Sequence, residues 1–302
     1  MEEPKINPYT ALVVGVISVS ASAIFVKLCT SPSGVIAFYR LFFTVLFMLP
    51  MVLTKQHITE LRQITKKDWF FSIVAGVLLA FHFILWFESL NYTSVASSTV
   101  LVTLQPIFAF IGTYLFFKEK LSGKAILSGL IAVAGSVIIS WGDFRISGSA
   151  LFGDFLSLIG CALVTAYLLF GQNVRKRLSL ITYTFVVYLI SALTLLIYTI
   201  AAGQSLFPDK SSDWVYFILL ALFPNLLGHS LFNWSLKWLS TSTISMAILF
   251  EPVGATILAY FLLRENVVWS QLVGGAIVMA GISLFVLDER KLKLKTAVST
   301  KS

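Results

Sequence analysis

The chain has 302 residues, of which 58% are hydrophobic and only 12% charged, with a mean hydropathy of +0.90. A water-soluble domain carries about 25% charged residues, so this composition excludes one and makes lipid the solvent. The net charge of +8 is dispersed through short connections rather than gathered in a basic domain, which argues against nucleic acid as a partner.

Ten apolar runs are legible, at residues 10–29, 34–54, 69–90, 94–117, 123–141, 149–171, 181–202, 214–236, 241–262 and 269–287. Each is close to the roughly 20 residues that a helix needs to span a hydrocarbon core of about 30 Å. The connections between them are too short for a soluble domain. The stretch before the first run has two acids and one lysine, and no small-residue cleavage site follows, so that run is expected to stay as an anchor. Cys29 and Cys161 show neither metal-ligand spacing nor a disulfide framework and read as small packing residues.

The first run places Ser18 and Ser22 on one helical face. The second holds Arg40 with Thr44 one turn below. A charge inside lipid costs a few kcal/mol and needs a partner: a substrate anion, the outer headgroups reached by snorkelling, or an acid such as Glu88. In the third run His82 and Trp86 share a face, followed by Ser89. The fourth carries Ser97, Ser98, Thr99 and Thr103 before Gln105–Pro106. Proline removes a backbone donor and frees the carbonyl four residues back, that of Val102, so a break is expected there.

The fifth and tenth runs repeat small residues every four positions, Ser128, Ala132 and Ser136 in one, Ala276 and Ala280 in the other. That spacing suits close helix packing, or a homodimer interface. The sixth run aligns Asp154, Ser157, Cys161 and Thr165. The seventh is aromatic, with Tyr183, Phe185, Tyr188 and Tyr198, and offers no chemistry. In the eighth, Pro224 is expected to break the helix, and Asn225, His229 and Asn233 recur every four residues as a polar stripe. At the middle of the ninth stands Glu251–Pro252. A carboxyl at mid-bilayer is costly when charged, which makes Glu251 a candidate for proton exchange or for contact with a substrate amine, the alternative being a protonated carboxyl hydrogen-bonded to a neighbouring helix.

Residues 95–139 and 241–285 align without a gap at an offset of 146. Identities include Pro106/Pro252, Tyr114/Tyr260, Glu119/Glu265, Gly129/Gly275 and Gly135/Gly281. Each copy has a central proline, a charged interruption and a second run rich in small residues. Five runs per half, 10–141 and 149–287, is an odd number. The second half then enters the membrane from the opposite side, giving two inverted five-helix repeats. With the N-terminus inside, the outer connections hold only Lys27, Arg145, Lys210 and Arg264 of the basic residues. Both termini, including the basic tail 288–302, are therefore expected to be cytoplasmic.

The pattern Tyr92–Thr93–Ser94–Val95–Ala96 leading into Pro106, then Glu119 and Gly129/Gly135, recurs as Pro252, Glu265, Gly275 and Gly281. With Gly153–Asp154 opening the sixth run, it resembles the EamA family of the drug/metabolite transporter superfamily across residues 10–287. The resemblance implies an all-α carrier of ten transmembrane helices in a bacterial or archaeal cell membrane, with a central cavity facing each side in turn. Members commonly export amino acids or other small metabolites, and some import.

The expected function is a secondary transporter exporting a small polar metabolite, with proton coupling as an option. Efflux of apolar or aromatic compounds and metabolite uptake are the alternatives. The expected substrate-binding residues are Arg40, His82, Trp86, Gln105, Asn225, His229, Asn233 and Glu251, with helix breaks at Pro106, Pro224 and Pro252. The chain has no Walker lysine loop, metalloprotease His-Glu-x-x-His or nucleophile motif, so neither an enzyme nor a cofactor is expected.

Overall fold

The computed structural model describes Pro4 and residues 6–93, 95–119, 121–139, 148–264 and 269–299; Glu265 of the repeat motif lies outside them. Among the described residues the secondary structure is helical throughout. Eight helical segments are long and apolar enough to cross a membrane, and two shorter apolar helices accompany them.

In chain order the helices are α1 (Pro8–Ser20), α2 (Ser22–Leu28), α3 (Ser33–Val52), α4 (Lys55–Arg62), α5 (Lys66–Ser89), α6 (Val95–Val102), α7 (Gln105–Phe117), α8 (Gly123–Ile139), α9 (Gly148–Val174), α10 (Leu180–Ala201) and α11 (Ser212–Leu220). A π-helical stretch, Ala221–His229, joins α11 to α12 (Ser230–Ser235). The chain ends in α13 (Thr241–Ile248), α14 (Glu251–Leu263) and α15 (Trp269–Ser299).

The helix boundaries recur 146 residues apart. Both ends of α6 match both ends of α13, and both ends of α7 match both ends of α14; α8 and α15 start in the same register. The membrane-length segments Lys66–Ser89 and Ser212–Ser235 also match at both ends. The breaks before α7 and α14 fall at Thr103–Leu104 and at Leu249–Phe250, directly before Gln105–Pro106 and Glu251–Pro252. Proline at the second helical position loses nothing, because that N–H has no intrahelical partner. Both half-helices end on a left-handed residue that is not glycine, Lys118 and Arg264, each at φ 57°. A left-handed non-glycine residue costs about 1–2 kcal/mol, so the surrounding turn must hold it.

Two features depart from the sequence reading. Pro224 does not break its helix but sits inside the continuous π-helical stretch. The wider turn gives the carbonyls a different partner and makes room for the ring. The last helix also continues past 287 to Ser299. No glycine or proline follows Gly281 in the described chain, so nothing stops it.

Helices α8 and α15 form the most extensive helix pair. Their small residues face each other: a Cβ on Gly135 would meet the Val278 N at 2.7 Å, and one on Gly281 would meet the Ala132 N at 2.7 Å. The small-residue faces are thus used within the chain, as the packing alternative expects. Gly281→Ala should cost about 1–3 kcal/mol by overpacking, read as a lower thermal-unfolding midpoint in detergent. Gly275→Ala, whose Cβ meets only Val253 at 3.6 Å, should leave the midpoint unchanged or slightly raised.

Polar clasps close the two ends of the bundle, which α3 separates by about 30 Å. At one end Asp213 accepts from the backbone N–H and the hydroxyl of both Thr30 (3.0 and 3.2 Å) and Ser31 (2.9 and 2.6 Å). Lys27 Nζ there donates to the Leu90 carbonyl at 2.6 Å. At the other end Arg177 donates to Asp68 (3.0 and 2.5 Å), and Gln172 joins Glu119 (2.8 Å) to the Thr241 N–H (2.8 Å).

On the connecting helix α4 at this second end, Glu60 accepts from the Ser179 N–H (2.6 Å), the Ser179 hydroxyl (2.5 Å) and the Thr182 hydroxyl (2.5 Å). Partial burial pushes its carboxyl up, but these bonds and His57 outweigh burial and hold it below the usual carboxylate range. A lowered folded-state value means the clasp stabilises above the unfolded-state value and fades as pH falls through the folded one. Thermal unfolding followed against pH should therefore show a shallower acid-side decline for Glu60→Gln than for the wild type.

Candidate functional site

Arg40 on α3 is fully buried and does not snorkel; no acid touches it, and the Glu251 carboxyl acts on it only at longer range, across the cavity that both residues line. Its Nε donates to Asn225 Oδ1 at 2.6 Å and one Nη to Ser22 Oγ at 2.7 Å, while its Cζ lies 4.2 Å from the Phe83 ring centroid. Among the described residues no carboxylate oxygen comes within 4.0 Å of it. Glu88, the alternative partner, instead accepts from Asn91 at 3.3 Å. The second Nη has no hydrogen-bond partner. A guanidinium held on two sides with one donor group unused is preorganised for an acceptor that the protein itself does not supply.

Arg40 lines a small cavity at the middle of the bundle, together with Ser22, His82, Trp86, Gln105, His229 and Glu251 among others. Buried polar atoms normally find partners, and each exception calls for an explanation. Four exceptions belong to residues lining this one cavity: the free Nη of Arg40, Trp86 Nε1, Gln105 Oε1 and His229 Nδ1. His82 Nδ1 meets the Gly160 carbonyl at 2.9 Å, which fixes Nδ1 as the donor and leaves Nε2 as an acceptor. Glu251 is 6% exposed, and its carboxyl makes no hydrogen bond among the described residues. The cavity measures about 20 Å³, room for about one water molecule, against the roughly 300–1,000 Å³ of ordinary ligand pockets. The conformation described is closed around the site.

The helix breaks explain how these groups arrive together. Because α6 and α13 stop before Gln105 and Glu251, the first residues of α7 and α14 lie at mid-bundle, beside Pro106 and Pro252. Of the eight residues expected to bind substrate, six line the cavity and two stand behind it. Asn225 accepts from Arg40 and donates to Thr44 at 3.2 Å, so it positions the guanidinium. Asn233 donates to the Tyr167 hydroxyl and to the His229 carbonyl at 2.7 Å. The expected stripe therefore does not stay on one wall: the π-helical turns around Pro224 rotate Asn225 toward α3.

A scan against family models matches the EamA-like transporter family at residues 7–141 and 151–287. The chain belongs to this family. Among curated relatives of this EamA-like chain is the uncharacterized transporter sll1164 of Synechocystis sp., 27% identical over 245 residues, covering 77% of this chain and 69% of that one. An uncharacterized transporter of Archaeoglobus fulgidus is 23% identical over 275 residues, covering 90% and 93%. The riboflavin transporter ImpX of Fusobacterium nucleatum is 25% identical over 250 residues, covering 78% and 83%. A solved crystal structure with a TM-score of 0.74 and 15% identity, covering 94% of this chain and 99% of that one, shares the fold. This EamA-like protein is a multi-pass membrane protein of a transporter family.

Sequence reasoning missed several supports of the site in this EamA-like protein. In sequence Ser22 shows only a shared helical face with Ser18, yet it orients Arg40. The aromatic seventh run was expected to offer no chemistry, but Tyr188 is fully buried with its hydroxyl 3.3 Å from Ser230. Arg175 falls between the sixth and seventh apolar runs, where an exposed charge is expected, yet it is buried with its Nε on the Asn233 carbonyl at 2.8 Å. The only signal for these was polar residues inside apolar runs, which does not say where they point.

Proposed function

We propose that this protein is a secondary transporter that exports a small polar metabolite by alternating access. The observation that carries the reading is the convergence of Arg40, Glu251 and the unpartnered polar atoms of Trp86, Gln105 and His229 on one closed mid-bundle cavity. Such groups are expensive in a bilayer unless they meet a substrate or ion. Arg40 would meet a carboxylate; Glu251, His82 and His229 would meet an amine or carry a proton.

Ten crossings in two inverted five-helix repeats, with both termini cytoplasmic, give the machinery two related ends. The clasps described above support this. Asp68 and Asp213 each lie in the first turn of a matching segment, α5 and α11. Each grips the connection between the first two segments of the other half: Arg177 in one case and Ser31, its equivalent 146 residues earlier, in the other. In a carrier with two gates these clasps would release in turn. Asp213→Ala should expose the Thr30 and Ser31 amides, raising their hydrogen–deuterium exchange at least tenfold, since hydrogen bonds to a charged group contribute about 1.5–3 kcal/mol. The Thr241 amide at the other end should stay protected.

Transport of labelled metabolites by proteoliposomes under an imposed pH gradient tests the reading. Indifference both to Glu251→Gln and to the gradient would remove the coupling claim. A second reading, a ring-bearing substrate, draws on the aromatic wall, where Trp86 stacks on His82 at 5.7 Å and Phe83 meets His229 edge-on at 5.5 Å. The name of the relative ImpX is in keeping with it.

A further inference from the structure

Gln105 and Glu251 occupy equivalent places. Each is the first residue of the helix that restarts after a break, each precedes a proline, and both line the same cavity. They are not alone: Ser22/Leu168, Trp86/Phe232 and Val102/Ile248 also line the cavity as pairs 146 residues apart. A wall assembled from such pairs receives each member from a different half of the chain.

The two halves are chemically unequal. The Arg40 guanidinium and the Trp86 N–H, the two donors suited to an anion, both come from the first half, whereas the carboxyl comes from the second at Glu251. Gln105 presents an amide oxygen with no partner, and the Glu251 carboxyl has no hydrogen bond among the described residues. With His82 Nε2 these make three acceptors around one small space. An ammonium group has three donors to give.

We infer that Gln105 and Glu251 are the two jaws of one cation subsite, closing on a substrate's ammonium group from opposite repeats. Glu251 supplies the charge and Gln105 the second acceptor. Because the backbone presents both positions in the same way, the carboxylate works from either jaw. The inference rests on the transporter reading and assigns Gln105 a specificity role within it.

The test uses the full-length protein with Cys29 and Cys161 replaced by alanine. In membranes, Gln105→Cys/Glu251→Cys should be cross-linked by short bifunctional methanethiosulfonates. Failure at every spacer length, with each single cysteine reactive, would overturn the facing jaws. In proteoliposomes the probes are radiolabelled L-amino acids and their N-acetyl derivatives, which lack the ammonium.

Glu251→Gln should lower amino-acid transport about tenfold or more, the scale of a lost charge-assisted hydrogen bond. The double variant Gln105→Glu/Glu251→Gln should recover most of it, and the N-acetyl compounds should be excluded by all three proteins. A folded double variant as inactive as Glu251→Gln, or transport of N-acetyl compounds at wild-type rates, would overturn the subsite. If the parent protein moves no amino acid, that substrate class fails, and the cross-link still decides whether the two positions face each other.

Discussion

Arg40→Ala should abolish transport and destabilise the protein by about 1–3 kcal/mol, the usual scale for leaving buried hydrogen-bond partners unsatisfied. Two effects add in one direction. The substrate loses its cationic contact, and the protein loses the centre of a network: Asn225 Oδ1 and Ser22 Oγ each lose their Arg40 bond in a site walled from water. The Phe83 and Phe87 rings lose the cation that lies against them.

Arg40→Lys separates the two effects. An ammonium keeps the charge but lacks the planar fork that reaches Asn225 and Ser22 while leaving a third group for substrate. The lysine variant should therefore fold, with a thermal midpoint between wild type and alanine, yet transport poorly. Melting curves in detergent together with uptake by proteoliposomes check both parts. An Arg40→Lys variant that transports at the wild-type rate would show that charge alone is needed there.

Glu251→Gln should have the opposite balance, a large loss of function with little loss of stability. The amide has nearly the same volume, and the carboxyl it replaces makes no hydrogen bond among the described residues, so no hydrogen-bond partner is orphaned and Arg40 loses only a longer-range attraction. Transport by this variant should stop responding to an imposed pH gradient, and its rate should fall about tenfold or more, given what a charge-assisted bond contributes. Equal gradient responses in variant and wild type would place the titrating group elsewhere.

Much of the molecule was legible in the sequence because a bilayer enforces simple rules. Length and hydropathy located the apolar helices, and the helix bounds mostly fall within a few residues of the apolar runs. The prolines at 106 and 252 marked true breaks, since a proline inside an apolar helix in lipid leaves backbone groups that must be satisfied locally. Ionisable and polar residues buried in those runs, Arg40, His82, Gln105, His229 and Glu251, line one cavity for the same reason: each is too costly to face lipid.

What the sequence did not reveal depends on direction rather than position. Pro224 looks like Pro106 in sequence, but the π-helical stretch absorbs it, and the altered turn sends Asn225 to Arg40 instead of into the cavity. The first apolar run is interrupted at Ala21, between α1 and α2, with neither glycine nor proline at that position to announce it. The Asp213 clasp was illegible because its four donors are two backbone amides and two small hydroxyls, groups present in every loop.

Accessibility of the cavity from each face of the membrane tests the account most directly. With Cys29 and Cys161 replaced by alanine, Val102→Cys puts one thiol in the cavity wall. A membrane-impermeant methanethiosulfonate is then applied to right-side-out and to inside-out vesicles. Alternating access through a single central site predicts modification from both faces, slowed on one face and accelerated on the other when either clasp is removed. Modification from one face alone, whichever clasp is cut, would contradict it.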